Sequence, residues 1–183
     1  MRLKHLAFVR ALESQGIPKD QMPLTRPLCG ELLVAYAVES ADQFTFATPS
    51  MMEQAEVAPP DARPLALQNL QRKILTHGLR LVEDGGPHML RIGQEGTETH
   101  LEAACLLIDG IWDMLVEKTE CRGELLLLTP TRDFLLALDS AKPESHANAM
   151  AFAKHVAVLD KTHALSAQLM VRRPGGIAVW QQD

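Results

Sequence analysis

Aromatic residues are scarce in this chain of 183, with five Phe, two Trp and one Tyr. A basic surplus is also missing. Lys and Arg number 18 against 23 Asp and Glu, for a net charge of −5. A nucleic-acid partner calls for a basic stripe that displaces counterions and for aromatics that stack on bases. Here the densest basic positions are two isolated pairs, Arg72-Lys73 and Arg172-Arg173, so nucleic acid is excluded as an expectation. Cysteine is limited to Cys29, Cys105 and Cys121, an odd count without a CxxC pair. That pattern predicts free thiols in a reducing compartment rather than a secreted disulfide framework. No apolar run approaches the roughly 20 residues of a bilayer span, which argues against a membrane protein. Lys4, His5 and Arg10 interrupt the apolar stretch a signal peptide needs, and the expected location is the cytoplasm. Glycine stops at 11 without a period, so collagen is excluded.

What is abundant is Leu and Ala, 50 residues together, within a hydrophobic content of 46% and a charged content of 22%. This is the composition of a packed globular chain and not of a disordered one. A chain of this length buries about 70% of the surface its unfolded form exposes, enough for a core without staples.

Along the chain, Leu3, Leu6, Val9 and Leu12 lie near helical spacing and stop at Gly16, which predicts an N-terminal helix within 1–16. Residues 17–30 are rich in Pro and polar side chains and read as a linker or long loop. Residues 31–183 then form a single α+β domain in which a unit of two strands and a helix recurs. The first strands fall at 31–39 and 43–49, and Ser50 with Glu53 suggests a capping box before a helix at about 62–76. A hairpin follows at 79–84 and 88–93, with Gly85-Gly86-Pro87 as its turn. The stripe Leu101, Ala104, Cys105, Ile108, Ile111, Trp112, Leu115 predicts one long helix over 98–118. Strands at 124–130 and 133–140, a helix at 144–159 and a final hairpin around Pro174-Gly175-Gly176 complete the chain. The fold class is α+β, an antiparallel sheet backed by helices. The unbroken run Leu125–Leu128 predicts a strand covered on both faces.

Catalytic signatures are absent. His146, His155 and His163 lack the i, i+4 spacing of a zinc helix, and His100-Leu101-Glu102 lacks the downstream PCxxC of zinc deaminases. Neither a G-x-S-x-G elbow nor a phosphate-cradling glycine loop occurs, and no cofactor or metal is called for. Cys105 falls on an apolar stripe and reads as core, as does Trp112. Met51-Met52 fits gap filling, or an adaptable contact. One cluster stands out: Pro130-Thr131-Arg132-Asp133 sets an opposite-charge pair between two apolar strands. Its plain reading is an Arg–Asp pair that steadies a turn. Its functional reading is an arginine fork held for a carboxylate or phosphate.

From about Arg26 to the end, the chain resembles the YtpQ-like family of bacterial proteins, a domain of unknown function. The resemblance is carried by Gly30-Glu31-Leu32-Leu33-Val34-x-Tyr36, then Thr48-Pro49 and Met52, Ala66-x-x-Asn69-Leu70, Glu102-Ala103 before Trp112, Pro130-x-Arg132-Asp133 and Leu165-Ser166. The departure lies at the front, where one helix and a loop stand in place of a longer N-terminal region. The resemblance implies a cytoplasmic bacterial protein and no particular activity. It adds Asn69 and Ser166 to Arg132 and Asp133 as candidate binding residues, since these are the polar members of its motifs.

Two functions follow as expectations. The first is a non-catalytic module that binds a protein partner along an open sheet edge, in the manner of an adaptor, chaperone or immunity protein, with a homodimer through such a face as a variant. The alternative is an enzyme or small-ligand binder built around the Arg132/Asp133 turn. That alternative requires Arg132, Asp133 and Asn69, joined by a histidine from another loop, to converge on one concave pocket.

Overall fold

A computed structural model of the chain describes residues 1–39, 44–83, 88–94 and 99–181. The expected turn at Gly85-Gly86-Pro87 lies outside these residues, although the hairpin it would close is present. The strands are β1 (Arg2–His5), β2 (Thr25–Cys29), β3 (Leu32–Ala35), β4 (Ala37–Glu39), β5 (Phe44–Phe46), β6 (Leu79–Glu83), β7 (His88–Ile92), β8 (Leu125–Leu128), β9 (Leu135–Asp139), β10 (Met170–Arg173) and β11 (Gly176–Val179). The α-helices are α1 (Leu6–Ser14), α2 (Pro49–Gln54), α3 (Pro59–His77), α4 (Asp109–Lys118) and α5 (Pro143–Leu159).

The expected α+β class holds. A six-stranded antiparallel sheet runs in the order β11-β10-β8-β9-β7-β6, beside a three-stranded sheet β1-β3-β2 and the ribbon β4-β5. Leucine placement in the large sheet explains its two covered faces, because alternate residues of a strand point to opposite sides. Leu125 and Leu127 of β8 join Leu135, Leu90 and Met170 in one core, which also takes in Leu3, Val34, Leu70, Ile74 and Trp112. Leu126 and Leu128 face the other way, where Leu136, Leu138 and Val171 meet Ala149 and Ala153 of α5. Small residues on α5 bring the helix close to the sheet. Burying each of these leucines stabilises the fold by about 1.5–3 kcal/mol. Among the described residues, no helix is long and apolar enough to cross a membrane.

Four expectations about elements need correction. Residues 2–5 are a strand and not the start of a helix. Leu3 pairs with Val34 and is buried, and His5 then caps α1, its Nδ1 accepting from the Ala7 N–H at 3.0 Å. Spacings of two and of three or four overlap at these few positions, and pairing with β3 decides between them. Residues 17–30, expected as a linker, contain β2, which pairs along β3 from Thr25↔Ala35 to Cys29↔Leu32. Gly30 makes the tight turn between the two strands at φ +51°, and a Cβ there would meet Val179 Cγ2 at 2.8 Å.

The third correction concerns the helix expected over 98–118. Ala103–Leu107 is a 3₁₀ helix, Ile108 is extended at φ −110° and ψ 112°, and α4 begins only at Asp109. Every residue of the expected stripe is nonetheless buried. The Trp112 indole N–H donates to the Leu106 carbonyl at 2.9 Å and closes the break. Similarly, the strand expected over 31–39 divides at Tyr36 into β3 and β4, which belong to different sheets.

Candidate functional site

A cleft of about 500 Å³ opens where β1 passes the turn after β8. Its cations come first from β1. Along a strand, residues two apart share a face, so with Leu3 in the core Arg2 and Lys4 both turn to the other side, where they line the cleft. Had 2–5 been helical, these two side chains would diverge by about 200°. Phe44 lies under the Arg2 guanidinium, 4.8 Å from ring centre to Cζ, and Lys4 Nζ sits 5.0 Å from the Phe8 ring centre and 5.4 Å from that of Phe46. These rings hold the two cations in place, and Arg2 is also paired with Glu39 at 2.9 Å.

The opposite wall is set by a short antiparallel run of the chain beyond β8. Ser166 N–H donates to the Thr129 carbonyl at 3.2 Å, Leu165 to Pro130 at 2.8 Å, and Arg132 to His163 at 3.3 Å, while the Arg132 carbonyl accepts from Ala103. The backbone of Arg132 is thereby fixed at both its N–H and its C=O. Two Asp–His pairs flank it. Asp133 Oδ1 meets His100 Nδ1 at 2.6 Å, and Asp160 Oδ1 meets His163 Nδ1 at 2.9 Å. The His100 carbonyl accepts from Arg2 Nη1 at 2.5 Å, and His100 holds a left-handed φ of +55°. A non-glycine residue in that region stores strain, a feature that gathers at functional sites.

Electrostatically the cleft is unbalanced. Arg2, Lys4, Arg132 and Lys161 line it, together with His5, His100 and His163. The nearby carboxylates are already engaged: Asp133 and Asp160 by histidines, and Glu39 by Arg2 at 2.9 Å and by Lys73. Burial pushes the Lys4 ammonium below the usual lysine range, and the charges of Arg132 and Arg2 push it in the same direction. Arg2 is lowered too, again by burial first, with Glu39 opposing. Among the described residues, three buried side-chain polar atoms lack a hydrogen bond, and two of them are Arg2 Nε and Arg132 Nε. Arg132 Nε lies 3.5 Å from Asp133 Oδ1, an ionic contact without hydrogen-bond geometry. Half-buried cations with unused donors are what an anionic ligand would satisfy.

The four residues expected from sequence do not meet. Arg132 lines the cleft, with Asp133 behind it on His100. Asn69 is on α3 in a different cavity, its Oδ1 accepting from Arg72 at 2.8 Å. Ser166 is buried in the run opposite Thr129, and its hydroxyl accepts from the Gln168 N–H at 3.1 Å. Sequence reasoning missed Arg2 and Lys4, and it expected a histidine at the site without identifying His100 or His163. The signal for the first two was the alternation Arg-Leu-Lys-His, which a helical reading of the segment conceals.

Other sequence features settle as structure. Glu102 is buried and accepts from the backbone of Leu101 at 3.1 Å and of Ile92 at 3.4 Å, so it is tied to the fold itself. Burial pushes the Cys29 and Cys121 thiols up to about 11, the reverse of an activated nucleophile. Among the described residues, no group of three or more His, Cys, Asp or Glu is placed to hold a metal ion.

The resemblance to the YtpQ-like family rests on its residue motifs alone. Compared with family models, curated proteins and solved structures, the chain matches none of them.

Proposed function

We propose that the chain binds a small anionic molecule, presenting a carboxylate or phosphate, in the cleft between β1 and the Arg132 turn. The observation that carries this reading is the convergence of Arg2, Lys4 and Arg132 from distant parts of the chain, with two guanidinium Nε atoms that make no hydrogen bond. Glu39 and Asp133 partly balance Arg2 and Arg132, while Lys4 has no carboxylate partner among the described residues, so these like charges still repel. An anion offsets their repulsion, and the planar forks of Arg2 and Arg132 suit a trigonal or tetrahedral oxyanion. Titration calorimetry with inorganic phosphate and with succinate tests it. Saturable binding by at least one is expected, weakening as salt is raised. Arg132→Met removes a charge-assisted bond of about 1.5–3 kcal/mol and so weakens binding by roughly tenfold to a hundredfold. No saturation by either anion, or equal affinity in the variant, contradicts the proposal.

A second reading, a protein partner added as a strand, is favoured by β6. Among the described residues it ends the large sheet with one side unpaired, and Val82 is 38% exposed there. A homodimer through this edge is one form of it. Val82→Lys should abolish any concentration-dependent association seen by sedimentation. A chain that is monomeric in both forms, and that retains no stoichiometric partner on purification, counts against it.

A further inference from the structure

A second cavity, of about 720 Å³, lies between β4, α2 and α3, and the anion cleft makes no use of it. Its volume is within the range of small-molecule sites. One face of α3 lines it from Ala62 through Ala66 and Asn69 to Lys73 and His77, positions that recur every three or four residues and therefore stack. The character of this face changes along its length. Toward the start of α3 it is apolar, and it is met there by Met51, Met52 and Val57. Toward the end it carries Asn69, Arg72, Lys73 and Thr76, facing Val38 and Glu39 of β4.

The charges at that end are unequal. Glu39 is shared between Lys73 and Arg2, whereas Arg72 donates to the Asn69 amide and has no carboxylate partner among the described residues. A ligand that fits this gradient has an apolar tail and an anionic head. Two observations set the length and flexibility of the tail. From Ala62 to Leu70 the lining positions of α3 are apolar apart from Asn69, a span of about 12 Å, the extended length of roughly nine or ten carbons. Methionines also adapt to a flexible chain better than rigid side chains do. We infer that this groove holds a medium-chain aliphatic carboxylate, its tail against Met51 and Met52 and its head at Arg72.

The test is decanoate added to the full chain labelled with ¹³C at the methionine methyls, with Met51 and Met52 assigned by Met51→Leu and Met52→Leu. Saturable shifts at Met51 and Met52 are expected, with Met1, which also lines the cavity, the one other methionine methyl that should respond. Arg72→Gln, an exposed position that leaves the fold intact, should weaken binding about tenfold. Ala66→Trp, which fills the groove, should remove it. Inorganic phosphate has no tail and should neither move these signals nor compete, so this result is separate from that of the anion cleft. Unmoved Met51 and Met52 signals overturn the inference. So does equal binding of decyltrimethylammonium, which would mark an apolar groove indifferent to charge. Shifts that follow protein concentration and not decanoate would assign the groove to a second copy of the chain and overturn it as well.

Discussion

Lys4 shows how a single residue separates a binding role from a structural one. Its ammonium is half-buried, and burial and the neighbouring Arg132 and Arg2 disfavour its charge in the folded state. A side chain kept for stability would not be placed there. Lys4→Met removes the charge and keeps an apolar stem against Phe8 and Phe46, with sulfur–aromatic contact in place of the cation–π one. The melting temperature of the ligand-free protein should therefore hold or rise, by about 2–4 °C for each kcal/mol gained in a chain of this size. Phosphate affinity should fall in the same variant. Such opposed changes are expected where function is maintained against stability. A clear drop in melting temperature would mean that Lys4 serves the fold.

At the scale of elements, Asp139 at the end of β9 ties three pieces of chain together. Its carboxylate accepts from the N–H groups of Arg122 at 2.9 Å, Gly123 at 2.8 Å and Ala141 at 2.9 Å, joining the approach to β8 to the approach to α5. Burial alone would raise its pKa, but these bonds outweigh it and hold the group down to about 2, against an ordinary 3.8. A carboxyl with a depressed folded pKa gives stability that is complete above its unfolded value and lost as pH falls toward the folded one. Acid unfolding of the wild type should thus steepen between about pH 4 and pH 2. Asp139→Asn should be less stable at neutral pH and lose less over that interval, as read from urea midpoints at each pH. Parallel pH profiles for the two proteins would refute this role.

Elements also differ in how plainly their residues announce them. The Leu125–Leu128 run and the face Ala149, Phe152, Ala153, Val156, Ala157 need only composition and period; the run is buried as expected, and on the face Ala149, Ala153 and Val156 are buried while Phe152 and Ala157 are half-buried. The segment Leu101–Leu115 has the expected buried residues in a different geometry, because the extended turn at Ile108 preserves the apolar face while breaking the helix. The start of the chain is the instructive failure. Four residues cannot distinguish a period of two from one of 3.6, and the partner that decides, β3, lies about 30 residues away. A helical reading of those four residues hides half of the candidate site. Arg132 is visible as a charge among apolar strands; Arg2 and Lys4 become visible only once β1 is a strand.

On the scale of the whole molecule, the two-faced sheet is the fixed frame, and both cavities lie away from it. They are built by β1, β4, α2, α3 and the run around Arg132. Glu39 links them, since its two oxygens bind Arg2 beside the anion cleft and Lys73 in the apolar groove. In a chain of net charge −5, Arg2, Lys4, Arg132 and Lys161 thus line a single cleft. The most direct measurement is the phosphate titration followed residue by residue in amide NMR spectra. Saturable shifts centred on Arg2–His5, His100, Arg132 and His163, all sharing one dissociation constant, are expected. Shifts spread evenly over exposed basic positions such as Arg172 and Arg173, or absent altogether, would contradict the account.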